Sequence, residues 1–468
     1  MPWSEELSPV PMQRVALVAP HAAVRESLVR LADIGCIDLD SAGGPGQAEA
    51  SATIGRIRAP RDAPAQAELA AARPDPQALE RAGDAGLLAG EAQLAERLSA
   101  AVQRGTVAAL AGWCPAAEVT EVNARLAGLG SVLVPLRAPP GVDPPTALRT
   151  TGPVRGSFTS LVTTYGPPRY ADLDPTWAAA TLYAVMFGMM FGDAGHGALL
   201  LLGALALYVR RPRRLARWHD VWPFVAAAAV ASMVAGLAYG EFFGPTGVLP
   251  VLWLEPLRQP ERLLLTAVAL GALLLLLAYV AGAVNRWREN GFAGALYSLS
   301  GIAGGAAFMG LVGVALSAVL HLTWLLAAGA VLAVTGVALA AVGSYAGTAG
   351  GLAGLVQTGV QLFDGVIRIA SNVVSFARLA AFGLTHAALG QVIWSGTVGL
   401  ARHGAAGVLG AVALFLVGNA LVFLLEALVA GVQALRLEYF ELFSRVYDGQ
   451  GRPFRPWHVR VRRSEVAL

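Results

Sequence analysis

The chain has 468 residues, of which 56% are hydrophobic and 14% charged, and its mean hydropathy of +0.57 exceeds that of a soluble protein and indicates several membrane spans. All 34 basic residues are arginine, and the lack of lysine excludes a Walker A loop and therefore ATP hydrolysis by a P-loop in this chain. The formal net charge of +3 reflects basic clusters that flank the apolar runs, which favours a role in membrane topology over nucleic-acid binding.

Residues 1–170 predict a small α/β domain with a helical insertion. The chain opens with acidic residues and without the apolar stretch of a signal peptide, so this domain is expected in the cytoplasm. Cys36 and Cys114 are too few for a disulfide framework or a zinc site. The predicted elements are, in order, a buried strand at 14–20, an amphipathic helix at 21–35, a strand at 36–40, a loop at 41–75, a helical segment at 77–104, a strand at 106–115, a helix at 118–129, a strand at 131–139 and a linker at 138–153.

Residues 171–445 hold the long apolar runs and predict a transmembrane domain of about eight helices. The first run, 177–209, would measure about 50 Å as one straight helix, whereas the hydrocarbon core of a bilayer is about 30 Å thick. The arginine-rich loop at 210–219 is cytoplasmic by the positive-inside rule. The run is therefore expected to cross the membrane twice, turning near Gly192–Gly197.

The later apolar runs predict six more helices. The last two, 352–400 and 405–440, exceed the length of a perpendicular span, which favours strong tilt. The polar segment 285–290 is predicted to lie between two spans on the cytoplasmic side, and residues 446–468 are predicted to form a basic cytoplasmic tail. The other spans are predicted near 221–243, 262–284, 294–318 and 322–345.

Arg378 is the most informative residue of the apolar part. At least ten residues on each side of it carry no acid, and an arginine at bilayer depth costs roughly 2.5 to 3.5 kcal/mol, so it is a functional candidate. Asp364, Ser371, Arg378 and Thr385 recur at intervals of seven residues, so they form one polar stripe on a helix. Snorkelling to the interface is disfavoured so far from the flanking charge.

A second polar stripe runs along the last apolar helix through Asn419, Glu426 and Gln433, with Arg436 one turn beyond. A carboxylate surrounded by apolar residues needs a partner or must hold a proton, so Glu426 is predicted either to carry a proton or to form a structural ion pair. Two long helices with ionisable groups at depth favour a proton or ion path.

Two further features leave alternatives open. His386 follows Arg378 by two turns and is either a hydrogen-bonded core histidine or a proton relay. The segment FGDAGHG at 191–197 has three glycines around an aspartate and a histidine. It is predicted to be a tight membrane turn, and too few histidines accompany it to predict a metal site.

Together these residues resemble the a subunit of the V/A-type rotary ATPases, called subunit I in bacteria. TYGPPRYADLDPT and MFGMMFGDAGHG resemble the entry to the family's first membrane hairpin. SFARLAAFGLTHAAL resembles the helix with its essential arginine, and LLEALVAGVQALRLEYFELFSRVYDGQGRPF resembles its last helix and tail. RVALVAP, LADIGCIDLD and GWCPAAEVTEVNARL resemble the two ends of its cytoplasmic domain. The chain resembles a short form, because the family normally has a longer coiled-coil arm between those ends.

The resemblance implies a stator membrane subunit that forms two proton half-channels against a rotating proteolipid ring, while other subunits hydrolyse or synthesise ATP. Arg368 stands where the family often has an uncharged polar residue, and an ion pair with Asp364 one turn away would account for it. The site residues that the resemblance implies are the stator arginine Arg378, its second basic partner Arg436, the half-channel residues His386, Glu426 and Gln433, and Asp364 in the other half-channel.

The implied partners are the proteolipid ring, the peripheral-stalk subunits, the central-stalk subunit that caps the ring, and membrane lipid, with no nucleic acid, cofactor or metal. The implied location is the bacterial inner membrane, with the N-terminal domain and the tail in the cytoplasm. A proton-coupled secondary transporter is the alternative, but it requires a midplane substrate site between internal repeats, and the sequence has no convincing inverted repeat. A non-conducting scaffold is a third reading, against which Arg378 and Glu426 argue. The sequence leaves open whether H⁺ or Na⁺ is carried.

Overall fold

A computed structural model describes residues 8–40, 67–139, 141–150, 152–164, 166–210, 218–447 and 451–462. They form two compact units, one built from residues 8–147 with 451–462 and the other from residues 148–447. The sequence predicts a division at residue 170 and a separate tail at 446–468. Most of the predicted loop at 41–75 and of the arginine-rich loop at 210–219 lies outside the described residues.

The first unit is built on an antiparallel sheet with the strand order β2-β5-β1-β6, and β4 also pairs with β5. β1 alternates buried Val15, Leu17 and Ala19 with less buried residues, which is the period of a strand with one face on a core. It pairs with β5 along its whole length. The strands are β1 (Met12–Pro20), β2 (Asp38–Leu39), β3 (Glu68–Ala70), β4 (Val102–Arg104), β5 (Val107–Pro115), β6 (Val132–Pro135) and β7 (Arg460–Arg462).

The helices of this unit cover the sheet, and the chain end joins them. The first helix ends as predicted at Gly35, whose left-handed backbone (φ 68°) suits glycine. β7 pairs in parallel with β3, and the amide of Trp457 donates to the carbonyl of Ile37 at 2.9 Å. Residues 451–462 are therefore part of this unit. Its helices are α1 (Val24–Ile34), α2 (Pro76–Ala82), α3 (Ala85–Ala100) and α4 (Val119–Leu126).

The second unit confirms a helical, polytopic membrane protein. Within the described residues, six helical runs are long and apolar enough to span a bilayer, and two shorter apolar helices, α6 and α7, precede them. The helices are α5 (Pro153–Thr164), α6 (Thr176–Met190), α7 (Ala194–Arg210), α8 (Trp222–Tyr239), α9 (Pro260–Tyr297), α10 (Ile302–Leu320), α11 (Thr323–Ala346), α12 (Gly351–Ser375), α13 (Ala377–Ala401), α14 (Gly404–Leu437), a π-helix (Glu438–Phe443) and α15 (Ser444–Val446). The run 177–209 is divided between α6 and α7, where the sequence placed a turn.

The polar segment 285–290, which is predicted to lie between two spans, is helical. α9 continues through it, because its polar side chains find partners on the helix and beside it. Arg286 Nη1 lies 2.7 Å from Glu289 Oε2 in a buried pair one turn apart. Asn285 accepts from the Leu173 amide at 3.0 Å and donates to the Val446 carbonyl at 3.1 Å.

The helical backbone of α9 is interrupted directly after the polar segment 285–290. Gly291 has φ 70° and ψ −170°, a conformation that glycine alone adopts readily. Gly291 therefore separates the long helical part of α9 from a short helical segment that ends at Tyr297, and the next span begins at Ile302 rather than near 294. The break therefore follows the polar segment instead of coinciding with it.

α12 and α13 form one continuous run with a tightened turn between them. The Phe376 amide donates to the Val373 carbonyl at 3.2 Å, which is the three-residue spacing of a 3₁₀ turn. The Phe376 side chain is fully buried, and a Cβ atom on Gly271 of α9 would lie 2.2 Å from its Cγ. Gly271 thus leaves the space for the ring that fixes this turn, two residues before Arg378.

Gly271→Ala is expected to lower the melting temperature of the purified chain by several degrees. The added methyl must displace Phe376, and overpacking of this kind costs about 1–3 kcal/mol. Gly203→Ala is the matched control, because a Cβ atom there meets no heavy atom within 4 Å. Thermal unfolding in detergent measures both variants. An equal melting temperature for Gly271→Ala and the wild type would contradict the packing argument.

Candidate functional site

A contact between α13 and α14 lies at the centre of the second unit. His386 of α13 is 3% exposed, and its Nδ1 makes a short hydrogen bond with Glu426 Oε2 of α14. The other carboxylate oxygen of Glu426 is buried and has no hydrogen-bond partner among the described residues. The structure therefore brings together two of the residues that the sequence singled out, and their pairing sets the register between α13 and α14.

Asp193, which the sequence assigned only to a tight turn, lies beside this pair. It is fully buried, and its Oδ1 accepts from the amides of His196 at 2.8 Å and Phe243 at 3.0 Å. Its Oδ2 accepts from the Gly244 amide at 2.8 Å. Asp193 thus caps the N-terminus of α7, where a carboxylate also benefits from the helix dipole, and it holds the turn after α8.

Two imidazoles converge on the same carboxylate oxygen. His196 Nδ1 lies 3.6 Å and His386 Nε2 lies 4.0 Å from Asp193 Oδ2. Neither ring nitrogen of His196 has a hydrogen-bond partner of normal geometry among the described residues, although Asn419 lies beside it. The histidine contributed by FGDAGHG therefore points into the cluster formed by His386, Glu426 and Asp193.

Aromatic rings enclose the cluster. The Phe191 ring is 5.7 Å from the His196 ring and 4.9 Å from the His386 ring, between ring centroids. Phe243 and Phe423 lie 5.2 Å and 5.8 Å from His196. These neighbours exclude bulk water from the two imidazoles, which strengthens the electrostatic interactions among the charged groups.

Glu241 adds another buried acid, just after the end of α8. It is 4% exposed, and its backbone carbonyl accepts from the Ala194 amide at 3.0 Å. Its carboxyl interacts electrostatically with His386, Asp193 and Glu426. It lies outside both polar stripes, so their periodicity gave no signal for it.

Arg378 lies apart from this cluster. It is half-buried and has no ion-pair partner among the described residues. Counting eight residues back along α13 from His386 and eight forward along α14 from Glu426 places Arg378 level with Ala434, beside Gln433. Eight residues of helix correspond to about 12 Å along the axis. Gln433 has a buried Oε1 without a hydrogen-bond partner among the described residues.

Arg436 completes the second stripe toward the end of α14. Its side chain is exposed, and its guanidinium carbon lies 6.0 Å from the Phe440 ring centroid in a cation–π contact. The structure gives it no contact with Arg378. The implied role of Arg436 as a second basic partner stays a prediction.

Asp364 lies in a separate polar cleft. It forms an ion pair with Arg368, one turn along α12, which is the pairing that the spacing predicts. The cleft has a volume of about 290 Å³ and is also lined by Ser298, Ser300 and Asn372. Asp364 precedes Arg378 by fourteen residues, which corresponds to about 21 Å along a helix. Arg378 therefore stands between two polar regions on one helical run.

Buried carboxylates, two imidazoles and an unpaired arginine within a bundle of apolar helices define a polytopic membrane protein with an ionisable interior. The V-type ATPase 116kDa subunit family matches residues 95–244 and 356–459, which together are more than half of the chain. The chain belongs to this family, and the resemblance noted in its sequence is confirmed. Asp193, His196 and Glu241 lie in the first matched segment, and His386 and Glu426 lie in the second.

The chain is similar to several subunits of ATP synthases. The A-type ATP synthase subunit I of Aeropyrum pernix is 30% identical over 366 residues, covering 66% of this chain and 51% of that protein. That of Thermococcus kodakarensis is 29% identical, covering 77% of this chain and 55% of that protein. V-type ATP synthase subunit I 2 of Treponema pallidum is 36% identical over 143 residues, 29% of this chain and 32% of that protein. The chain spans about half the length of the archaeal relatives it matches.

Asp193→Ala is expected to lower the melting temperature of the purified chain more than Asp193→Asn. Alanine removes the acceptor for three amides, and loss of a helix N-cap alone costs about 1 kcal/mol. Asparagine keeps one acceptor oxygen and caps helices well. Thermal unfolding of the three proteins in the same detergent gives the comparison. Equal melting temperatures for the two variants would mean that the amide contacts contribute little.

Proposed function

We propose that this chain is the stator membrane subunit of a V/A-type rotary ATPase and that it forms two proton half-channels against a proteolipid ring. The observation that carries the proposal is the position of Arg378. It is unpaired among the described residues and lies on one helical run between the His386–Glu426 pair and the polar cleft at Asp364. The names of the relatives, which are subunits of A-type and V-type ATP synthases, support the assignment.

The mechanism is electrostatic. A ring carboxylate stays protonated and neutral while it faces lipid, because burial disfavours its charged form. Close to Arg378 the opposite charge stabilises the carboxylate, and the proton leaves through one half-channel. The fixed charge also opposes direct passage of a proton from one half-channel to the other. Each elementary charge that crosses is worth about 2.3 kcal/mol per 100 mV.

The two polar regions take the roles of the half-channels. The cluster of Asp193, His196, His386 and Glu426 would relay protons on the side of the membrane opposite the arginine-rich loop. The cleft at Asp364 would open on the cytoplasmic side. Gln433 and Arg436 would lie between them, near the level of Arg378. Other subunits would carry out ATP turnover. The stalks would connect those subunits to this chain, which would lie beside the ring in a bacterial inner membrane.

Glu426→Gln is expected to slow proton transport severalfold while leaving assembly intact. The substitution keeps the volume and a hydrogen-bonding oxygen toward His386 but removes the titratable proton. ATP-driven acidification of vesicles, normalised to assembled complex, measures the effect. Unchanged pumping would mean that Glu426 serves only as a structural partner of His386.

Arg378→Ala is expected to abolish ATP-driven acidification in the assembled complex. No other charge on its stripe lies near enough to stabilise the ring carboxylate at that point. Arg378→Lys should also fail largely, because lysine is a compact point charge that loses its proton more easily when buried. ATP hydrolysis by the soluble subunits can continue if coupling is loosened.

Arg258→Ala is the matched control for loss of a positive charge. Its guanidinium is exposed and, among the described residues, forms an ion pair only with Glu255, three residues away. Acidification should stay near the wild-type level in this variant. Near-normal acidification in Arg378→Ala would refute the proposed stator role, and ATP-independent, substrate-driven proton flux would favour a secondary transporter instead.

A further inference from the structure

We propose that Asp193, His196 and His386 form a binding site for a divalent transition metal of the Zn²⁺ type. Among the described residues, these three offer one carboxylate oxygen and two imidazole nitrogens that all lie within 4.8 Å of one another. All three side chains are buried. Metal binding stands without the proposed function; only its effect on proton transport rests on that function.

The distances are close to those of a metal site. A tetrahedral zinc ion with bonds of about 2.0–2.1 Å places its ligand atoms about 3.3 Å apart. The distances to Asp193 Oδ2 are 3.6 Å from His196 Nδ1 and 4.0 Å from His386 Nε2. All three ligand atoms lie within 4.8 Å of one another, so metal binding would draw the two imidazoles inward. Three protein ligands and one water would complete a four-coordinate ion.

His196 is the observation that points to a ligand. It is 2% exposed, and neither of its ring nitrogens has a hydrogen-bond partner of normal geometry among the described residues. A buried imidazole with no such partner forfeits stability that a hydrogen bond would supply. A metal bond from Nδ1 would satisfy the nitrogen that lies closest to Asp193.

The ligands are also oriented by their outer contacts. His386 presents Nε2 to Asp193 while its Nδ1 is bonded to Glu426. This is the carboxylate–histidine–metal arrangement, which fixes the imidazole and raises its basicity. The carboxylate of Asp193 is held by the amides of Phe243 and Gly244. Two imidazoles favour Zn²⁺ over Mg²⁺ and Ca²⁺, which prefer oxygen ligands.

Titration of Zn²⁺ into the purified full chain, followed by calorimetry, tests the site. The wild type should bind one equivalent at its tightest site, and His196→Ala should weaken that affinity at least tenfold. Glu426→Gln should weaken it about tenfold, as loss of an outer-shell carboxylate does. His403→Ala is the matched control, because this histidine is exposed at the turn between α13 and α14, and its affinity should equal that of the wild type. Equal affinities in the wild type and His196→Ala would overturn the proposal.

X-ray absorption at the zinc edge of the loaded wild-type chain tests the ligands without any variant. The expected spectrum has two imidazoles and oxygen in a four-coordinate shell. A sulfur shell at about 2.3 Å would assign the metal to the cysteines, and a shell of oxygen alone would assign it elsewhere. Either spectrum would overturn the site.

Transport by the reconstituted complex separates this proposal from the proposed function. Zn²⁺ added on the side opposite the arginine-rich loop should inhibit acidification in the wild type and in His403→Ala. The fractional inhibition should be lost in His196→Ala at the same concentration. Binding at this site without inhibition would overturn the proton path through the cluster and support the metal site. Absence of binding, with transport still dependent on Glu426, would overturn the metal site alone.

Discussion

The buried carboxylate of Asp193 is the interaction on which the membrane unit depends most. A carboxylate removed from water is costly unless its oxygens are hydrogen-bonded, and here three amides from two different segments supply those bonds. The same side chain starts α7, holds the turn after α8 and faces His386 on α13. The start of α7 and the end of α8 are thereby tied to the helix that carries Arg378.

Close backbone packing makes this arrangement possible. A Cβ atom on Gly236 of α8 would lie 2.1 Å from the Ala194 amide nitrogen, and one on Gly188 of α6 would lie 2.6 Å from the Ala231 carbonyl. Helices in a bilayer associate through such small residues, because lipid offers no hydrophobic drive between them. The approach at Gly236 brings the end of α8 against the start of α7, and there Glu241 accepts a hydrogen bond from Ala194. The small residues Gly236 and Gly188 thus help to shape the buried site.

Much of this architecture was predictable, because the spacing of polar residues and the hydrophobic composition of each segment indicate it. Intervals of seven residues identified the stripes that hold Arg378 and Glu426, and the length of the run 177–209 indicated the break between α6 and α7. The cluster that Asp193 forms with His386 was not predictable, because the two residues are nearly two hundred positions apart in the sequence. The local pattern of FGDAGHG indicates only a turn. Strand β7 has three residues, which are too few to show the alternation of buried and exposed residues that predicts a strand. It forms by pairing with β3.

Distance explains why Arg378 remains available for an outside partner. Glu426 is already bonded to His386, and counting along the helices places it about 12 Å from the level of Arg378. At an effective dielectric constant of 20, two unit charges attract by about 1.4 kcal/mol at 12 Å and by about 4 kcal/mol at 4 Å. Arg368 contrasts with it, because Asp364 one turn away neutralises its charge. A half-buried arginine without such a neighbour gains most from a carboxylate brought to it by another chain, and in the proposed function a ring subunit would supply this interaction.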